Sequence, residues 1–280
     1  MLNLPKNVWI LTACLALFMS LSVFMLFVGG IIGSVLAPSK SLSTLPVATI
    51  VVGTAVSIIP AIRLMSIFGR KKVFLGTCLY TILLIGLCIF SIINGSFFLF
   101  SFASFCLGGN VAVMQQFRFA AIESVELEQR PLATAIVLLG GLISAYLGTE
   151  IATLGKDYFE TDFAGSFLIL ALLFVIAFIL MCFFKPAEKF KEQINKSTRP
   201  LRNIIKQGSF IVAVCAATTG YVVMSFVMTA TPVSMHVMDG FSLDHTKFVL
   251  QSHVIAMFLP SLFTAYIVKY LGLTRMMILG

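Results

Sequence analysis

Runs of twenty or more apolar residues recur along the whole chain, and they decide most of what it can fold into. Crossing the hydrocarbon core of a bilayer takes roughly 20 such residues in a helix. About eight stretches meet that length, near 8–37, 42–62, 73–93, 97–122, 132–154, 163–184, 209–237 and 248–268. All are far too long for sheet strands, so the expected fold class is all-α and membrane-integral. A soluble domain has no use for this much apolar surface: 59% of the 280 residues are hydrophobic and 11% charged. The first run is too long for a signal peptide and is followed by no small-residue cleavage site, so it is expected to be the first span.

The net charge of +8 would suit a nucleic-acid surface, but its distribution does not. With the N-terminus inside, alternate connections collect Lys6, Arg63, Arg70, Lys71, Lys72, Arg118, Arg130, Lys185, Lys269, Arg275 and a lysine-rich stretch around Lys189–Lys206. The other side holds Lys40, Lys156 and Lys247. This is the positive-inside pattern, which predicts a cytoplasmic N-terminus and a lipid bilayer as partner, not DNA or RNA. The six cysteines lie in or at the ends of apolar spans with no CxxC pair, so neither a disulfide framework nor a zinc site is indicated.

The seventh and eighth runs carry two matched pairs. Met224 and Met228 are four apart, as are His253 and Met257, and a spacing of four puts both members of a pair on one helix face. If the two helices run antiparallel about a tip near Gly240, the pairs fall at matching depths. Thioethers and an imidazole favour a soft ion such as Cu(I) over Mg²⁺ or Ca²⁺. Methionine is also an ordinary core filler, whereas a histidine inside an apolar span must be satisfied or used. Tyr221, Met224, Met228, Thr231 and Met235 share a face that leads to Met235, His236, Met238, Asp244 and His245 at the outer turn, a capture site or an ordinary loop. Pro232 is expected to bend or end the seventh helix.

Elsewhere, Gly29 and Gly33 allow close helix contact, and Gly140, Ser144, Gly148 and Ala152 make a small-residue stripe along the fifth run. Arg118 near the hydrocarbon edge is either a snorkelling anchor or a gating residue. Glu150 is an intramembrane carboxylate, suited to proton coupling or to a structural pair. The connection 185–207 is basic and contains Pro186 and Pro200. The sequence 270–275 is a degenerate echo of the loop 63–72, and the chain reaches Gly280 in what reads as the first turn of a ninth helix. The expectation is therefore a truncated chain with about four helices absent.

Leu64, Gly69, Arg70 and Lys71 match the loop between helices 2 and 3 of the major facilitator superfamily, although Ile62 and Ser66 replace its first glycine and its aspartate. Glu123 and Arg130 fit the acid-to-arginine spacing between that family's helices 4 and 5. The glycine-rich fifth run is similar to that of its proton-coupled antiporters, with Thr149 where they carry proline. The chain thus resembles that superfamily, with about eight of twelve helices present. The resemblance implies a six-helix half over 1–184, a linker over 185–207 and the start of a second half over 208–280. The Met/His pairs resemble those of bacterial copper importers that supply cytochrome c oxidase assembly. That likeness implies Met224, Met228, His253 and Met257 as metal ligands; beside it, the shared helix face and outer turn make Tyr221, Met235 and His236 candidate accessory residues, and Arg118, Glu123, Arg130 and Glu150 are candidates for gating or coupling. The likeness further implies copper as cargo with no cofactor, alternating access, a monomer, and residence in the bacterial inner membrane. The alternative is an organic solute such as riboflavin or a drug. The sequence shows no HExxH, no nucleophile elbow and no paired intramembrane aspartates, so an enzyme is not expected.

Overall fold

A computed structural model describes residues 4–186 and 201–263, together with 270, 272 and 275. Helix is the regular structure among the described residues. In order these are α1 (Lys6–Leu36), α2 (Leu45–Phe68), α3 (Arg70–Ile93), α4 (Phe97–Met114), α5 (Phe117–Glu123), α6 (Arg130–Leu154), α7 (Ala164–Cys182), α8 (Leu201–Ile205), α9 (Gly208–Pro232) and α10 (Leu243–Phe258). Among the described residues, seven helical segments are long and apolar enough to cross a membrane. The expected eighth run, 248–268, begins within α10, whose 16 residues are not among these seven segments. Most of the linker, the echo loop around 270–275 and the expected ninth helix lie outside the described residues.

Local chemistry sets most of the boundaries. Gly69 joins α2 to α3 at φ 82°, where a Cβ would be strained. Ser96 caps α4 by accepting from the Leu99 N–H (3.4 Å), and Ser242 caps α10 by accepting from the His245 N–H (3.2 Å). Pro46 and Pro131 sit in the first turns of α2 and α6, where no donor is needed. The expected single run 97–122 is instead broken at Gln115–Gln116, where the Gln116 N–H tightens onto the Val113 carbonyl at 2.9 Å. The seventh helix is expected to bend or end at Pro232; the α-helix ends there and the chain continues through a π-helical turn over Val233–Met238.

Packing is set by α1, which is buried along most of its length and lies against α6. The small-residue stripe makes this contact possible: a Cβ on Gly140 would stand 2.6 Å from the Thr12 carbonyl oxygen, and one on Gly148 2.7 Å from that of Ser20. The helices α2 and α4 meet through Gly53 and Gly108 in the same way, while α3 lies against α4 and α7. An aromatic cluster fills the centre, with Phe18 4.9 Å from Phe117 and 5.1 Å from Phe174, ring to ring.

α9 and α10 touch the preceding helices unevenly. Every residue from Gln207 to Val223 is exposed, whereas Met228 and Pro232 are buried. The upper part of α9 rests on α1, where Val233 reaches the space beside Gly30. α10 instead lies along α6, with the Phe258 ring over Gly141. α9 thus touches the preceding helices toward the Gly240 turn and is splayed away from them at its other end, the side of Arg70 and Lys71, whereas α10 keeps to α6 as far as Phe258.

Candidate functional site

Where α9 meets α1, α2 and α4, a cavity of about 80 Å³ remains. Ser22 and Leu26 of α1, Ile50 and Thr54 of α2, and Val111 of α4 face Tyr221, Met224, Ser225, Met228 and Thr229 of α9 across it. The α9 residues are there because steps of three and four keep one helix face turned toward α1. The Ser22 hydroxyl is buried with no hydrogen-bond partner among the described residues, so the cavity presents an unsatisfied donor. Among the lining residues there is no Asp, Glu, Lys, Arg or His. Such a wall offers hydroxyls, a phenol ring and two thioethers, and it suits an uncharged solute with hydrogen-bonding edges and an apolar or aromatic face.

A charged cluster joins α6 to α10 nearer the Gly240 turn. Lys247 stands 3.2 Å from a Glu150 carboxylate oxygen and 3.2 Å from Asp244. Gln251, one turn on, donates to the Thr149 hydroxyl (2.7 Å) and to Glu150 (3.4 Å). Lys247 precedes the apolar run that begins at Phe248. Its partial burial pushes its pKa down, but hydrogen bonds to Asp244 and Glu150, and their charges, outweigh this and hold it above the ordinary value. Through this pair Glu150 bridges helices 97 residues apart in the sequence.

A second charge pair sits at the splayed end. Arg70 donates to Glu123 at 2.6 Å and to the Gln116 carbonyl at 3.4 Å, tying α3 to the α4–α5 break. Lys71 donates to the Cys182 carbonyl at the end of α7 (2.5 Å). Glu123 therefore binds the signature loop, not Arg130, whose placement at the start of α6 follows the turn 124–129. Arg118 is exposed, its guanidinium 5.1 Å from the Phe119 ring centroid.

The Met/His pairs are distributed between two surroundings. Met224 and Met228 both line the cavity; His253 and Met257 are not among its lining residues. His253 is half-buried and Met257 is 37% exposed on α10, which follows α6. The reason is that α9 and α10 diverge from the Gly240 turn, each docking on a different helix of the first six. Tyr221 joins the two methionines in the cavity. His236 lines a separate vestibule of about 590 Å³ with Lys156, Glu160 and Asp162, its Nδ1 2.8 Å from the Phe241 carbonyl oxygen. Met235 is half-buried in the π-helical turn. Sequence reasoning missed Ser22, Thr54, Ser225 and Thr229, because hydroxyls on apolar helices carry no pattern of their own. It also treated Lys247 as a topological marker, although Lys247 and Gln251 at i and i+4 share a face.

A model of the Major Facilitator Superfamily matches residues 8–280. The chain belongs to the Major Facilitator Superfamily. It is 34% identical to a riboflavin transporter of Brucella anthropi over 98% of its own length and 70% of that protein's. Two uncharacterized MFS-type transporters of Bacillus subtilis are each 26% identical over 90% of the chain, which spans 61% and 62% of their lengths. The facilitator is thus an integral membrane protein with apolar helical spans, of a family of transporters rather than enzymes. Its central cavity lies between α9 and the helices α1, α2 and α4.

Proposed function

We propose that this facilitator carries an uncharged organic solute of the riboflavin class across the bacterial cytoplasmic membrane by alternating access. The observation that carries the reading is the cavity wall, hydroxyl-bearing and free of formal charge, in a chain 34% identical to a riboflavin transporter. Riboflavin is a neutral, flat tricycle with a polyol tail. Ser22, Thr54, Ser225 and Thr229 offer hydrogen bonds to carbonyls and hydroxyls, and Tyr221 with the thioethers of Met224 and Met228 offers aromatic and sulfur–ring contacts. A volume of about 80 Å³ is far below the roughly 300 Å³ at which drug-sized pockets begin. Loading therefore requires the α9–α10 part to move away from α1 and α2, as rocking of the halves 1–184 and 208–280 about the linker 185–207 would do. With the positive-inside orientation, the splayed end faces the cytoplasm and the Glu150–Lys247 cluster closes the outer side.

Copper uptake is the second reading, and the placement of Met224 and Met228 in the cavity favours it. Uptake in proteoliposomes separates the two. Labelled riboflavin should accumulate saturably and be suppressed by Met228→Trp, which fills the cavity. Copper accumulation lost on Met224→Ala and on His253→Ala, with no riboflavin movement, would overturn the organic-solute reading.

A further inference from the structure

Toward the basic end, a groove of about 430 Å³ runs between α2 and α3 with α4 beneath it, and it shares no lining residue with the central cavity. Its walls are apolar, with Leu64 and Phe68 along α2, and both are about half-exposed. Its depth comes from glycine. A Cβ on Gly76 would meet nothing within 4 Å, and one on Gly109 would first meet the Tyr80 ring at 3.4 Å. The Tyr80 hydroxyl is engaged with the Cys106 carbonyl at 2.8 Å, so the ring is what the groove meets.

Lys72 stands at the mouth. Of three consecutive basic residues, Arg70 holds Glu123 and Lys71 holds the Cys182 carbonyl, while Lys72 has no ion-pair or hydrogen-bond partner among the described residues. The first turn of α3, to which it belongs, has no capping side chain and no acidic residue, so the positive end of a 24-residue helix adds to its charge. An apolar groove bordered by an uncommitted cation is complementary to an amphiphile with an acyl chain and an anionic head. Covering the same groove with another apolar helix would instead strand an ammonium without a counter-charge at the hydrocarbon edge.

We propose that this groove is a binding site for an anionic phospholipid of the surrounding leaflet, its phosphate on Lys72 and the first turn of α3, and one acyl chain laid over Gly76 against Tyr80. One lysine near a membrane surface is worth about 1 kcal/mol toward anionic lipid, a factor of about five in affinity.

The test is native mass spectrometry of the purified protein titrated with phosphatidylglycerol and, separately, phosphatidylcholine. Wild type should bind phosphatidylglycerol about fivefold more tightly. Lys72→Gln should erase that preference, Lys72→Arg should keep it, and Gly76→Phe should weaken binding of both lipids while leaving the lipid-free melting temperature unchanged. Equal binding of the two lipids by wild type, or a preference that survives Lys72→Gln, overturns the proposal. So does Gly76→Phe with undiminished lipid binding, or a lipid-free melting temperature lowered by that change, which would mean protein already fills the groove.

Discussion

Replacing Lys247 with methionine should open the seam between α6 and α10. The side chain keeps its length and apolar stem and loses its charge, so the change isolates the ion pairs to Glu150 and Asp244, each at 3.2 Å. At an effective dielectric constant of 20, two unit charges that far apart attract by about 5 kcal/mol. That figure is a ceiling, because the Glu150 side chain is 43% exposed and Lys247 17%. Screening and side-chain ordering reduce exposed pairs to about 1 kcal/mol or less. A loss of about 1 kcal/mol shifts a two-state equilibrium about fivefold toward the open seam. Thr246 reports the shift well, since it is fully buried beside Lys247. A Thr246→Cys variant, with the exposed Cys182 and Cys215 replaced by serine, should react with a membrane-impermeant maleimide about five times faster when Lys247 is methionine. The exchanged pair Glu150→Lys with Lys247→Glu should restore slow labelling. Unchanged labelling in the single variant would refute the idea that this cluster holds the two parts together.

Two further outcomes follow from the packing. Glu123→Gln keeps the shape of the α3–α5 tie but leaves Arg70, 6% exposed, without its carboxylate; breaking such a pair costs about 3 kcal/mol, read as a lowered melting temperature in detergent. Gly53→Ala drives a Cβ into the Phe105 carbonyl and should cost about 2 kcal/mol, whereas Gly86→Ala, with open space around it, should fall within about 0.5 kcal/mol of wild type by the same melt.

The helical architecture was legible because it is written in run length and in small residues. Gly140, Ser144, Gly148 and Ala152 announced a close contact, and the fold places α1 against them. The break at Gln115–Gln116 was less visible, since the run 97–122 reads as one span that merely becomes polar toward its inner end. The cavity was half legible. Met224, Met228 and Tyr221 share a face by spacing alone, but spacing within a helix says nothing of which neighbour that face meets. Antiparallel geometry about Gly240 suggested that α9 and α10 face each other; the fold sends α9 to α1 and α10 to α6. Docking of this kind depends on shape across distant segments, such as Gly30 receiving Val233 and Gly141 receiving Phe258, which no local pattern encodes. The same holds for the charges: Glu123 finds Arg70 and Glu150 finds Lys247 only once the helices are assembled.

The account rests on one claim, that the uncharged pocket between α1, α2, α4 and α9 receives the solute. Quenching of riboflavin fluorescence on titration with the purified protein tests it most directly. Saturable quenching is predicted, weakened about tenfold by Tyr221→Ala, the loss expected of an aromatic contact worth about 1.4 kcal/mol, and little changed by His253→Ala. Quenching that is absent, or that depends on His253 and not on Tyr221, would contradict it.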